Sequence, residues 1–259
     1  MNPKTVQTLR DLRKVFERRG NEFFVLGGGV TDAILPVLKD GRIAPLSGNG
    51  GIDLAFPAVT WSHFYDLVES MVSVGFRESE REELLIHSSG TELFLWPFGS
   101  RVSPRQRLTW PGTGREYSTV GLAFAMTEAR PVPIAEHLAV PVPPIPMVLF
   151  LKIVFYLSRM TGRDLIEIVK VLHAGCGDSE PGPDPGKDNA FSMGTRIRKS
   201  FPESYLKIIR NFLVEVDAVH APMISQLFRG WKGMDPFLGN RMEDIFGLFL
   251  SFQRGLDTK

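Results

Sequence analysis

Between Phe23 and Phe56 the chain reads FFVLGGGVTDAIL and then, after a short loop, PLSGNGGIDLAF. A short apolar strand from Phe23 to Leu26 runs into three consecutive glycines, Gly27, Gly28 and Gly29. The spacing then predicts a short helix over Val30 to Leu38 and a second apolar strand, Ile52 to Phe56, carrying one carboxylate, Asp53. Consecutive glycines after a strand let the backbone approach a phosphate closely, and the N–H groups that open the next helix can bind it. They also serve simply as a tight strand-to-helix turn. A carboxylate inside an apolar strand is costly to bury unless it is paired or holds a cation. Residues two apart in a strand share a face, and the positions flanking Asp53 are Gly51 and Ala55, so no second acid stands beside it on its own strand.

The pattern around these strands predicts a small mixed sheet covered by helices. Leu9, Leu12, Val15 and Phe16 fall at helical spacing in an amphipathic first helix. A helix is expected from about Trp61 to Val74. Leu84 to His87 and Glu92 to Trp96, separated by Ser88, Ser89 and Gly90, read as a β-hairpin. Residues 97 to 117, rich in Pro, Gly and Arg, read as an excursion with little regular structure. Leu122 to Met126 and Val132 to Ile134 read as further strands. Strong helices follow over Val148 to Leu157 and Arg163 to His173, then a polar, proline-rich linker from Gly175 to Lys187, then helices over Glu203 to Val216, Ala221 to Trp231 and Arg241 to Phe252. The expected fold class is α+β: a mixed domain over 1–135, a helical pair over 136–175, a flexible linker over 176–195 and a helical region over 196–259.

With 43% hydrophobic and 23% charged residues and a net charge of +1, the chain has no global field to draw it to nucleic acid or acidic lipid. Its one cysteine, Cys176, excludes an internal disulfide, and no zinc-type Cys/His spacing occurs. The first residues lack an apolar signal core, and the longest apolar run, Ile145 to Leu157, is too short to span a bilayer, so no membrane role and a cytoplasmic location are expected. Neither GxGxxG with a suitably spaced acid nor GxxxxGK[ST] is present, which weakens dinucleotide and P-loop readings. His87, His137, His173 and His220 are scattered, and no Ser/His/Asp or Cys/His hydrolase pattern is visible.

Two further groups of residues can carry chemistry. Glu92 opens the return strand of the hairpin; if that strand lies beside Ile52 to Phe56, Glu92 adds a second carboxylate to Asp53. Lys152 sits in an otherwise apolar helix and Arg159 lies two turns on, with Arg163, Asp164 and Glu167 in the next helix. These charges either lock two helices together or present Lys152 and Arg159 to phosphates.

In order and spacing, VLGGG, GIDLAF, ELFLWPFG, FLKIVFY, Arg159 and RDLIE resemble the nucleotidyltransferase superfamily, in particular its AbiEii/AbiGii-type toxin branch, over about residues 5 to 175. The resemblance implies a nucleotidyltransferase-like sheet with Mg²⁺ on Asp53 and Glu92 as the catalytic acids. It implies an NTP bound by Gly27, Gly28, Gly29, Lys152, Arg159 and Asp164, an RNA or protein acceptor for the transferred nucleotide, and an antitoxin partner. The chain departs from the pattern at the acids. The first acid of Asp-x-Asp is Gly51, and the acid of the later strand aligns with Phe94. Two-metal phosphoryl transfer rests on several carboxylates holding Mg²⁺ in octahedral geometry. The expectation is therefore an NTP-binding protein impaired in transfer, or an inactive nucleotide-, RNA- or protein-binding module of the same fold.

Overall fold

A computed structural model describes residues 3–26, 51–160, 162–174, 185–218 and 244–258. The chain divides into two compact units, Met1–Val148 and Leu149–Lys259. Gly27 to Gly29, the helix expected over Val30 to Leu38, Cys176 and the helix expected over Ala221 to Trp231 lie outside the described residues.

The first unit is built on a five-stranded sheet of order β1-β2-β5-β4-β3. Its strands are β1 (Phe24–Leu26), β2 (Ile52–Pro57), β3 (Phe76–Glu78), β4 (Leu84–His87) and β5 (Glu92–Phe98). β2 and β5 run parallel, and the other neighbours are antiparallel, so the sheet is mixed. Helices α1 (Pro3–Arg19) and α2 (Trp61–Val72) supply Leu9, Leu12, Val15 and Phe16, and Phe64, Leu67 and Met71, to one core with Val25, Ile52, Leu54, Phe56, Leu93 and Leu95 of the sheet. Phe56 is wedged between the rings of Phe16 at 5.6 Å and Phe64 at 6.1 Å. The period of two leaves the alternate residues, Phe24, Leu26, Asp53, Ala55, Phe94 and Trp96, on the opposite face. α2 opens where the Thr60 hydroxyl accepts from the His63 N–H at 3.2 Å, an ordinary N-cap.

Three segments of the first unit differ from their sequence expectation. Leu122 to Met126 is not a strand but the start of helix α3 (Leu122–Glu128). Its apolar run suits either state, but Ala123, Ala125 and Met126 are good helix formers, and the buried pair Leu122 and Ala125 is spaced by three. Inside residues 97 to 117 a hairpin forms from β6 (Arg107–Thr109) and β7 (Glu116–Ser118), burying Leu108 and Trp110. Glu82 accepts from the N–H groups of Gly112 at 2.9 Å and Thr113 at 3.1 Å and fixes its turn. A second hairpin, β8 (Arg130–Ala135) with β9 (Leu138–Val142), lies partly in the segment expected to be a helical pair. Its valines Val132, Val140 and Val142 are buried while Pro131 and Pro133 are exposed. Prolines spaced by two lack N–H groups only at positions facing away from the ladder.

The second unit is helical: α4 (Ile145–Arg159, which begins four residues earlier), α5 (Gly162–Ala174), α6 (Pro185–Ser200), α7 (Glu203–Ala218) and α8 (Asp244–Asp257). α6 occupies residues expected to be linker. Pro185 suits a first helical position, and the low helix propensity of the following Gly, Ser and Thr is overridden by packing. A methyl group on Gly194 would lie 2.2 Å from the Phe252 carbonyl oxygen, and one on Gly255 would lie 2.1 Å from that of Phe191. Glycine at both positions is what lets α6 and α8 touch backbone to backbone. The Asn189 amide also donates to the His173 carbonyl at 2.9 Å, capping the end of α5.

Candidate functional site

The sheet register brings three separate stretches of sequence together. Leu26, the residue before the glycines, pairs with Asp53, and Asp53 pairs in turn with Phe94. The strand that precedes the glycines, the Asp53 strand and the Glu92–Phe98 strand are thus adjacent in the sheet. β5 does lie beside β2, so Glu92 shares its sheet face with Asp53; it is exposed at the strand's start, two residues before Phe94.

Asp53 is 9% exposed. Its Oδ1 accepts a hydrogen bond from the Trp96 indole Nε1–H at 3.0 Å, a neutral donor aimed at a buried carboxylate. Trp96 lies on the same face of β5, two residues past Phe94, and its ring meets Tyr117 edge-on at 5.4 Å. Gly51 is buried, and its backbone φ lies outside the left-handed region, so its conformation would accept a side chain. The space would not: a Cβ there would fall 2.9 Å from Cε2 of Phe94 and 3.2 Å from the Glu92 carbonyl oxygen. The Arg81 guanidinium lies over the Phe94 ring, 5.5 Å from its centroid. Arg81 is held by Glu83 at 2.7 Å, and Arg115 reaches the same Glu83 oxygen at 3.1 Å. Burial acts to raise the Glu83 pKa, but the two guanidinium groups and a backbone hydrogen bond outweigh it and hold the carboxyl below its ordinary value.

This donor set does not fit the divalent metal that the resemblance implies. The position across from Asp53 is a phenyl ring, the same-strand neighbour is a glycine filled by that ring, and the Asp53 carboxylate is engaged by an indole. Among the described residues no three His, Cys, Asp or Glu side chains stand close enough to hold an ion.

In the second unit Lys152 is 2% exposed and forms an ion pair with Glu167. The Arg159 guanidinium grips Asp164 with two hydrogen bonds, 2.6 Å and 3.1 Å, and lies 5.1 Å over the Phe155 ring. Each pair links α4 to α5, one at mid-helix and one at the turn.

Sequence reading missed Trp96 and Phe94 as partners of Asp53 and Gly51. The signal was present as the same-face spacing of residues 92, 94 and 96, but their partner strand had to be known. It also missed a polar cluster in which Asp11, Thr8, His87 and Ser89 meet. The Ser89 backbone N–H donates to His87 Nδ1 at 3.2 Å, the Ser89 and Thr8 hydroxyls lie at 2.9 and 3.1 Å from that atom, and Nε2 faces Asp11 at 3.4 Å. The order acid, imidazole, hydroxyl resembles a hydrolytic triad. However, the Gly90 N–H, the group that would steady an oxyanion next to Ser89, is spent on the His87 carbonyl at 2.8 Å. The cluster is a clasp between α1 and the β4–β5 hairpin.

No family model matches the chain, and no curated protein matches it. Among solved structures it is similar to an antigenic nucleotidyltransferase-like protein from Paracoccidioides brasiliensis, at 16% identity and a TM-score of 0.40 over 86% of this chain and 90% of that one. Among the described residues no helix is long and apolar enough to cross a membrane.

Proposed function

We propose that this chain is a nucleotide-binding module of the nucleotidyltransferase type, of the AbiEii-like kind, in which nucleotide transfer is impaired. The observation that carries the proposal is the register Leu26–Asp53–Phe94, which gathers the glycine-bearing strand and both acid-position strands into one row of the sheet. In this reading Gly27, Gly28 and Gly29 approach the phosphates with their backbone. Of the two helical cations, this reading assigns Arg159, whose side chain is 24% exposed, to a phosphate. Lys152, with its ammonium on Glu167, and Asp164 position the helices. A cytoplasmic location and a cognate antitoxin belong to the same proposal.

Isothermal titration of the full chain with each NTP, with and without Mg²⁺, tests it. Binding of at least one NTP that does not depend on Mg²⁺ is expected, and absence of binding under both conditions would remove the proposal.

Glu92 supports a second reading. As an exposed carboxylate on the Asp53 face, it leaves room for an active transferase. An RNA or protein hydroxyl would then bond to the NTP α-phosphorus as the bond to pyrophosphate breaks. Incubation with α-labelled NTPs and candidate acceptors distinguishes the two, since label on an acceptor that disappears with Glu92→Gln would establish transfer.

A further inference from the structure

We infer that Gly51 and Phe94 are a matched pair that shuts the Asp53 face to divalent cations, Phe94 by occupying the position across from Asp53 and Gly51 by leaving room for its ring. The inference deepens the nucleotide-binding reading and rests on it only for the choice of face.

The geometry is specific on three counts. First, Gly51 is required by contact and not by backbone conformation, since the Phe94 ring stands 2.9 Å from where its Cβ would be. A carboxylate at position 51 alone therefore collides with that ring, over which the Arg81 guanidinium also lies, 5.5 Å from the centroid. Second, Phe94 is the residue directly across from Asp53. The nearest cross-strand position, where a second ligand would have to stand, presents carbon. Third, the indole of Trp96 supplies a hydrogen bond to Asp53 at 3.0 Å, which occupies a carboxylate oxygen a metal would need. Divalent ions of this class take several oxygen ligands, and one carboxylate already engaged by an indole is a weak site for them.

The coupling makes a non-additive forecast. Gly51→Asp alone gains nothing, because the ring remains. Phe94→Asp alone sets two carboxylates opposite each other. Gly51→Asp with Phe94→Asp sets three side by side at positions 51, 53 and 94, with Glu92 on the same face and no ring to exclude the ion.

The test is titration of the full chain with Mn²⁺ alone, followed by the electron paramagnetic resonance of the unbound ion, with circular dichroism to confirm folding. The wild type and Asp53→Asn are expected to give the same signal. The double variant is expected to bind at least about tenfold more tightly than the wild type, through its added oxygen ligands, and to lose that gain when Asp53→Asn is added. Phe94→Asp, which creates no collision at Gly51, is the variant to read if the double variant does not fold; it is expected to bind more tightly than the wild type. Saturable Mn²⁺ binding by the wild type that Asp53→Asn abolishes would overturn the inference. So would a folded double variant, or a folded Phe94→Asp variant, no tighter than the wild type. Since no nucleotide is present, these outcomes are independent of NTP titration: failure there removes the nucleotide reading and leaves the metal result standing.

Discussion

The Asp53 strand of the first unit and the α4–α5 pair of the second hold their buried charged groups with different partners. In the first, the Asp53 carboxylate lies on an apolar sheet face and is met by a neutral indole N–H. In the second, Lys152 lies in an apolar helix and is met by a full opposite charge, Glu167, while Arg159 grips Asp164 with two hydrogen bonds. The helical ion pairs fasten α4 to α5, whereas the indole hydrogen bond joins β5 to β2 through Asp53.

The comparison can be broken most forcefully at Lys152. Lys152→Met takes the ammonium away from Glu167 and should cost about 3–5 kcal/mol in urea unfolding. Adding Glu167→Leu should recover part of that loss; if the single variant is as stable as the wild type, the pair is not a fastener. At the sheet, Gly51→Val should cost about 1–3 kcal/mol by overpacking against Phe94, with much of it returned by Phe94→Ala. Equal costs with and without the ring would mean that the contact does not decide the residue.

Acid sharpens the same contrast. Glu83 is held below the ordinary carboxyl value of 4.5 because Arg81 and Arg115 outweigh its desolvation. A depressed carboxyl contributes stability that is present above the unfolded pKa and is lost as pH falls through the folded one. Stability should thus fall with acid from just above pH 4.5 downward, and Glu83→Gln should flatten that dependence at a cost of about 1 kcal/mol at neutral pH. An unchanged acid limb in the variant would assign the loss to other groups, Asp11 among them. The smallest effect belongs to the exposed pair Arg107–Glu116, whose side chains are 69% and 51% exposed. Arg107→Ala should change stability by no more than about 0.5 kcal/mol.

Much of this architecture was legible in the sequence. Ile52 to Phe56, the hairpin around Ser88 to Gly90, and the helices from Val148, Arg163 and Glu203 each carry a clean period of two or 3.6, and each forms. The failures have physical causes. Leu122 to Met126 is too short for its period to choose between strand and helix. The strand expected at Val132 to Ile134 forms within β8, but its partner β9 was not foreseen, and the three-residue strands β6 and β7 lie in a Pro-, Gly- and Arg-rich stretch held by Glu82 and Glu83 from a distant loop, which no local pattern records. α6 begins in a stretch whose composition reads as linker because its stability comes from the Gly194 and Gly255 contacts with α8. At the site, Asp53, Gly51 and Glu92 could be singled out from sequence. That Phe94 fills the space at Gly51 and that Trp96 binds Asp53 depends on a parallel register across 40 residues, and only the folded sheet sets it.

The most direct measurement is the indole proton spectrum of the 15N-labelled chain during titration with Mn²⁺. The chain has 4 tryptophans, and Trp96→Phe identifies the signal of Trp96. With the Asp53 face shut, the Trp96 resonance keeps its intensity in step with those of Trp61 and Trp110 as the paramagnetic ion is added. Selective broadening of Trp96 at low Mn²⁺, removed by Asp53→Asn, would place the ion beside the carboxylate and contradict the closure of that face.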